Sequence, residues 1–300
     1  MSGAHRFRST WRSITFNRRY DDSGLVDDPA HVDPAYTNDD YYLDTLDIVR
    51  VSAQDYRELR QFLEGAEPNE AFEGLRAITG HGTIHASSAA ALEDKTWAMY
   101  EAFSVAACRI AAADADPAGV LPYDFRVPTV SAPGYRPLRF YARPGAGRPV
   151  VIGRKGEGRG RQYIFQLLAM DPFAYSQTET VTPLANLDGT ANLFTGGGNV
   201  YAKPRIAIVT SGAAGNPFTV TNQTTGRSLS LNLSAAAAGQ TYTIDVARAL
   251  VTREDGSNQY GKRLAGYVTD LWLVPGQNDL RVSSGAGITS VTVRHRAAWA

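Results

Sequence analysis

The sequence predicts a mainly β protein: an α+β N-terminal region in which a helix packs on strands, followed by an antiparallel β-sandwich. Three observations carry that expectation. Beyond residue 200 apolar and polar residues alternate, as in SLSLNL (228–233) and QTYTIDV (240–246), which is the period of a half-buried strand. Turns rich in Asn, Gly and Ser separate such runs at short intervals, the spacing of a sandwich or barrel. One alanine-rich stretch, near 89–113, instead repeats its apolar residues at the helical period of 3.6.

Taken in order, residues 1–40 read as an irregular arm. Arg6, Arg8, Arg12, Arg18 and Arg19 give way to Asp21, Asp22, Asp27, Asp28, Asp33, Asp39 and Asp40, and Pro29 and Pro34 interrupt any regular element. A short helix is expected over 52–64, capped by Ser52 with Asp55 in the capping-box position, with Tyr56, Leu59 and Leu63 on one face and Gly65 at its end. Ile78 and Ile84 mark a strand. Ser87 or Ser88 then caps a second helix, whose apolar face is Leu92, Met99, Phe103, Ala106 and Ile110 and which closes at Asp116, Pro117 and Gly119. From Leu138 to Met170 short apolar runs bounded by Pro and Gly read as strands, the clearest carrying Tyr163, Phe165 and Leu167 in alternation. Three glycines in TGGGN (195–199) mark a boundary. The expected organisation is an arm over 1–40, a domain over 41–185 and a β-sandwich domain over 186–300.

The bulk numbers narrow the function. The 300 residues suffice for two domains. Thirty basic and 30 acidic residues leave a formal net charge of +0, unlike a protein drawn to nucleic acid by bulk charge and compatible with self-assembly. A single cysteine, Cys108, makes no intrachain disulfide and no cysteine-based zinc site. The basic N-terminus lacks the apolar segment of a signal peptide, and no run of about 18 apolar residues suggests a membrane span.

The candidates for chemistry are weak. Gly256 to Arg263 matches seven positions of a phosphate-binding P-loop, but Arg263 stands where a Ser or Thr must hold magnesium, and a strand pattern follows where a helix is required. His81 and His85 are four residues apart, which on a strand is about 13 Å, too far to share a metal ion. Cys108 sits among apolar helix residues, as structural thiols do. Arg154, Lys155, Arg159 and Arg161 form one compact basic cluster, read as a hairpin tip or an oligomer surface before a phosphate site. No nucleophile elbow and no pair of rigid carboxylates stands out, so the chain reads as a structural protein and not an enzyme, with no cofactor and no metal.

Several segments together carry a resemblance. KPRIAI (203–208), TVTNQTTGRSLSLNL, QTYTIDV, LWLVPGQNDLRV and the ending VTVRHRAAWA occur in that order. The most telling piece is Trp272, Pro275, Gly276 and Asn278, where the Trp can anchor a core, the Pro-Gly can turn the chain and the Asn can bond the turn. The sequence resembles the distal tail protein family of long-tailed phages. The strand and helix over 78–103 and the strands ending in Met170, Asp171, Pro172 and Phe173 are similar to that family's ring-forming domain, with 112–137 as an insertion. The resemblance implies a homohexameric ring joining tail tube to tail tip, a galectin-like sandwich serving as platform for other tip proteins, and DNA passing through the lumen unread. It implies a virion tail-tip protein made in the host bacterial cytoplasm. The alternative is a carbohydrate-binding sandwich that contacts host-surface glycan through Tyr242, Tyr260, Tyr267 or Trp272. A hydrolase is the third and least favoured reading.

Overall fold

The computed structural model describes residues 9–16, 40–50, 75–115, 120–128, 135–145, 149–153, 160–169, 171–214, 217–283 and 286–300. The helix expected over 52–64 lies outside them, as do Arg154, Lys155, Arg159 and Met170. The chain is mostly strand and divides into two compact units, Met1–Ala174 and Tyr175–Ala300. The division falls just after the Asp171–Phe173 turn, ahead of the 185/186 junction expected from sequence.

The first unit contains β1 (Ser9–Trp11), β2 (Ile14–Phe16), β3 (Asp40–Arg50), β4 (Arg76–His85), α1 (Ala89–Ala102), α2 (Val105–Ala115), β5 (Leu121–Pro128), β6 (Tyr135–Pro144), β7 (Val150–Ile152) and β8 (Gly160–Ala169). Its strands run in the order β6-β5-β1-β2-β3-β4-β8-β7. Because β6 also pairs with β8, Ala142 opposite Ala169, seven of them close on themselves as a barrel, with β7 left as an edge.

The barrel core follows from one sequence device. The inward positions of β4 are Ile78, Gly80, Gly82 and Ile84, facing Leu167, Phe165, Tyr163 and Arg161 of β8. A Cβ on Gly80 would lie 2.3 Å from the Phe165 ring, and one on Gly82 would lie 1.9 Å from the Tyr42 carbonyl. The glycines thus leave room for the two aromatic rings. Phe165 packs at 5.2 Å from Phe16, 5.0 Å from Phe103 and 6.3 Å from Tyr123, an aromatic cluster that joins β8, β2, β5 and the end of α1 and also takes in Tyr163 of β8.

Two expectations about this unit are corrected. Part of the segment read as an irregular arm is a β-hairpin: Ser9 to Phe16 pairs internally and lies between β5 and β3, with Trp11, Ile14 and Phe16 buried. The short runs STW and ITF are too brief to show periodicity, and tertiary burial decides them. The stretch 112–137 is also no mere insertion, since it supplies β5, whose Leu121, Tyr123 and Phe125 are buried and which pairs with both β1 and β6.

The second unit begins with β9 (Ala174–Ser176), which straddles the division, and continues with β10 (Thr180–Pro183), β11 (Asn192–Gly196), β12 (Arg205–Thr210), β13 (Phe218–Asn222), β14 (Arg227–Leu231), β15 (Thr241–Asp245), β16 (Leu250–Arg253), β17 (Arg263–Ala265), β18 (Gly276–Ser283), β19 (Ile288–His295) and β20 (Ala298–Trp299). Two five-stranded antiparallel sheets result, β10-β19-β12-β15-β16 and β11-β18-β13-β14-β17. Their alternating inner residues, among them Ile206, Ile208, Ile244, Val291 and Val293 on one and Val220, Leu229, Leu231, Leu280 and Val282 on the other, are wholly buried, as sandwich packing requires. The TGGGN glycines mark no domain boundary. They let the chain lie against the C-terminal segment: Gly198, at φ +96°, comes so close to Ala298 that a Cβ would sit 1.9 Å from its carbonyl.

Candidate assembly surfaces

Helix α1 starts where Ser88 Oγ accepts the Ala91 N–H at 3.1 Å. Leu92, Thr96 and Met99 form its buried face. Arg161 of β8 pins that face to the barrel, donating to both Glu93 carboxylate oxygens at 2.6 and 3.2 Å and to Thr96 Oγ1 at 3.1 Å. Arg161, expected in a basic cluster, is buried and committed to this pair.

The single long helix expected from sequence is two helices. The chain turns at Phe103, whose N–H reaches Met99 O, and restarts at Ser104, whose Oγ accepts from Ala107 N. Phe103 enters the core against Trp11 and Phe165. The restart changes the phase of the apolar pattern, so Cys108 faces inward while Ala106 and Ile110, expected on the buried face, point outward. Burial pushes the Cys108 thiol above its ordinary pKa, which keeps it protonated and unreactive.

The outcome is a strip of exposed apolar surface. Trp97 is 70% exposed and Ile110 71%. The Trp97 and Tyr100 rings are in contact at 6.1 Å. Tyr100 and Val105 line one side of a groove whose other side is Pro149, Val151 and Ile152. Val151 stands opposite Ile164 in the β7–β8 ladder, and both are exposed. Tyr100, Val105, Val151 and Ile164 thus join α1, α2 and the β7 edge in one apolar strip, the kind of patch that marks an interaction surface, and Ile110 is exposed further along α2.

In the second unit the Trp272–Asn278 stretch forms a locked turn. The fully buried Asn278 amide accepts from Val274 N at 3.0 Å and donates to Val274 O at 2.9 Å and Gly276 O at 3.1 Å. Gly276 adopts φ +88°, and Pro275 is exposed beside it. Trp272 is half-buried, so it is no core anchor. Leu271 and Leu273 on either side occupy the core, while the Trp272 ring stands edge-on to Tyr201 at 4.9 Å. Asp171 caps its own turn, accepting the Phe173 N–H across Pro172 at 3.1 Å.

The remaining sequence candidates separate. His81 and His85 are both exposed on β4, and His85 lies edge-on to Tyr42. Among the described residues no group of three His, Cys, Asp or Glu is placed to hold a metal ion. Gly256–Arg263 is a turn that leads into β17, a strand. Tyr242 is buried, which removes it as a sugar-binding aromatic. Tyr260 and Tyr267 flank the Arg263 guanidinium at 5.2 and 5.0 Å, with Tyr267 and Leu264 exposed.

Sequence reasoning missed the apolar strip. Two signals carry it. Trp97 falls on the face of α1 opposite Leu92 and Met99, and Ile164 alternates with Tyr163 and Phe165, giving β8 apolar residues on both faces.

No family model matches this chain, and no curated protein does. A solved structure is similar in fold: the crystal structure of the Dit protein of phage SPP1, described as a paradigm of the hub adsorption apparatus in phages that infect Gram-positive bacteria. The TM-score is 0.52 at 11% sequence identity, over 85% of this chain and 89% of that one. At that identity the likeness is one of fold. Among the described residues no helix is long and apolar enough to cross a membrane.

Proposed function

We propose that this chain is a structural phage tail-tip hub protein. Copies of the barrel unit assemble into a homohexameric ring that joins the tail tube to the distal tip, and the sandwich unit offers a platform to other tip proteins. DNA passes through the lumen without base recognition, and the protein is made in the host cytoplasm and carried in the virion. The observation that carries this reading is the likeness in fold to a phage hub protein over nearly the full length of both chains. The exposed strip from Trp97 to Ile164 supports it, because a hub must cover such a surface by association. Light scattering at several concentrations and salt levels tests it. A mass near six chains is expected, whereas a persistent monomer overturns the ring.

A second reading rests on Tyr260, Arg263 and Tyr267. The exposed Tyr267 ring, held with the half-buried Tyr260 about one guanidinium, suits a sugar ring, so the sandwich binds host-surface glycan in this reading. Binding on a glycan array that disappears in Tyr267→Ala supports it, and a silent array removes it.

A further inference from the structure

One arginine at an edge of the sandwich lacks the partner that others have. Strand β17 pairs with β14 through a bulge: Arg263 stands opposite Leu231 and Ala265 opposite Ser230, with Leu264 as the extra residue. Leu231 is buried, and Arg263 beside it is half-buried. Arg253, Arg281 and Arg294 in the same unit each meet a carboxylate, of Asp255, Asp279 and Glu179. Among the described residues the Arg263 guanidinium meets no carboxylate, and its hydrogen-bond acceptor is Gly266 O alone, 2.8 Å from Nη1.

The setting of that guanidinium is fixed from several sides. The Tyr260 and Tyr267 rings lie 5.2 and 5.0 Å from it. Asn258 Oδ1 accepts the Tyr260 N–H at 2.8 Å, which holds the first ring in a tight turn. Gly266 takes φ +74°, and a Cβ there would sit 1.9 Å from Ser228 O, so the turn that carries the acceptor lies hard against β14. Val268 is 1% exposed and anchors the chain just beyond Tyr267. A charge on the inner side of an edge strand protects that edge from pairing, but such a role requires neither ring. Rings over a guanidinium shield its faces and leave its N–H edge as the open direction.

We infer that this site takes a sugar bearing an anionic group, a carboxylate or a phosphate. The sugar ring stacks on Tyr267, which is 61% exposed, and the anion supplies the counterion that Arg263 lacks by accepting from two N–H groups of its fork. The planar fork matches carboxylate and phosphate alike. A neutral sugar would satisfy the ring and leave the half-buried charge unpaired. The inference rests on the glycan reading of the sandwich and adds to it the charge of the ligand.

A glycan array printed with neutral sugars, with glycans containing uronic or sialic acid and with sugar phosphates tests it on the full chain. The acidic members should bind at least about tenfold more strongly than neutral ones of the same length, the worth of hydrogen bonds to a charged group. Their signal should fall as salt rises. Arg263→Gln should bring the acidic members down to the neutral level, and Arg263→Lys, which keeps the charge without the fork, should restore only part of the difference. Tyr267→Ala should lose neutral and acidic members together. Whether the carboxylates or the phosphates respond identifies the anion. Binding to neutral sugars alone, or acidic binding that survives Arg263→Gln, overturns the inference and leaves the glycan reading standing. A silent array overturns both.

Discussion

Gly82→Ala puts the packing of the barrel to a test in which two arguments give opposite signs. In a strand, replacing glycine restricts the unfolded chain and by that effect alone stabilises the fold by about 0.4–1 kcal/mol. Here the added Cβ would stand 1.9 Å from the Tyr42 carbonyl and 2.5 Å from the Tyr163 hydroxyl. The carbonyl is backbone in the β3–β4 ladder, next to the irregularity at Leu43 to Thr45, and cannot slide without breaking pairs. The Tyr163 hydroxyl donates to that same carbonyl at 2.8 Å. Overpacking of this kind costs about 1–3 kcal/mol and loss of the hydrogen bond about 1 more. The net expectation is a loss of about 2–3 kcal/mol. For a unit of this size that lowers the melting midpoint by roughly 4–12 °C. Scanning calorimetry of the variant reads it directly. Gly261→Ala is the control, since nothing lies within 4 Å of its Cβ and its φ is ordinary, and it should shift the midpoint by less than about 2 °C. An unchanged or raised midpoint for Gly82→Ala would refute the claim that the β4 glycines exist to admit the rings of β8.

Arg161→Met keeps the stem and removes the clamp on α1. Glu93 is partly exposed and recovers some hydration, so the loss should be about 1–3 kcal/mol in urea unfolding. Asn278→Ala leaves the Val274 N–H and two carbonyls of a buried turn without their amide and should cost about 2–3 kcal/mol in the second unit, read by the same titration. Trp97→Glu and Ile110→Glu place charge on the exposed strip. Both should abolish association while leaving the melting point of the subunit within about 2 °C, because the two side chains are 70 and 71% exposed. His295 supplies a pH signature. Burial holds its pKa below the ordinary 6.5, outweighing its hydrogen bond with the Thr195 backbone and the pull of Glu179. The unfolded chain therefore takes up the proton first, so this contribution to stability is complete above pH 6.5 and is lost as pH falls through the lowered native value. His295→Gln should flatten the stability profile just below pH 6.5, as measured by urea unfolding in a series of buffers.

The sandwich was legible because its signals are local. Leu229, Leu231 and Leu233, then Tyr242, Ile244 and Val246, alternate strictly, and each is buried. The turn at Pro275 and Gly276 was legible for the same reason, since glycine alone takes that φ without strain. The barrel was harder. Ser9–Phe16 has no periodicity of its own and becomes strand only because Trp11 and Phe16 find the cluster around Phe165. The 87–115 helix kept its alanine signal through a break that depends on Phe103 turning into the core, so the apolar pattern was carried past its true end to Ala106 and Ile110. Residue type alone places Trp272 in a core, while its half-exposed setting depends on Tyr201, distant in sequence. The exposed strip was hidden because hydrophobic residues were assigned inward by default, and Trp97 and Ile164 show their purpose only once the opposite face is seen to be filled.

Electron microscopy of the purified full-length chain tests the central claim most directly. Class averages should show six-fold rings with a central opening, and Ile110→Glu should reduce them to single subunits. A field of monomer-sized particles for the unaltered protein, at concentrations where it remains folded, would contradict the account.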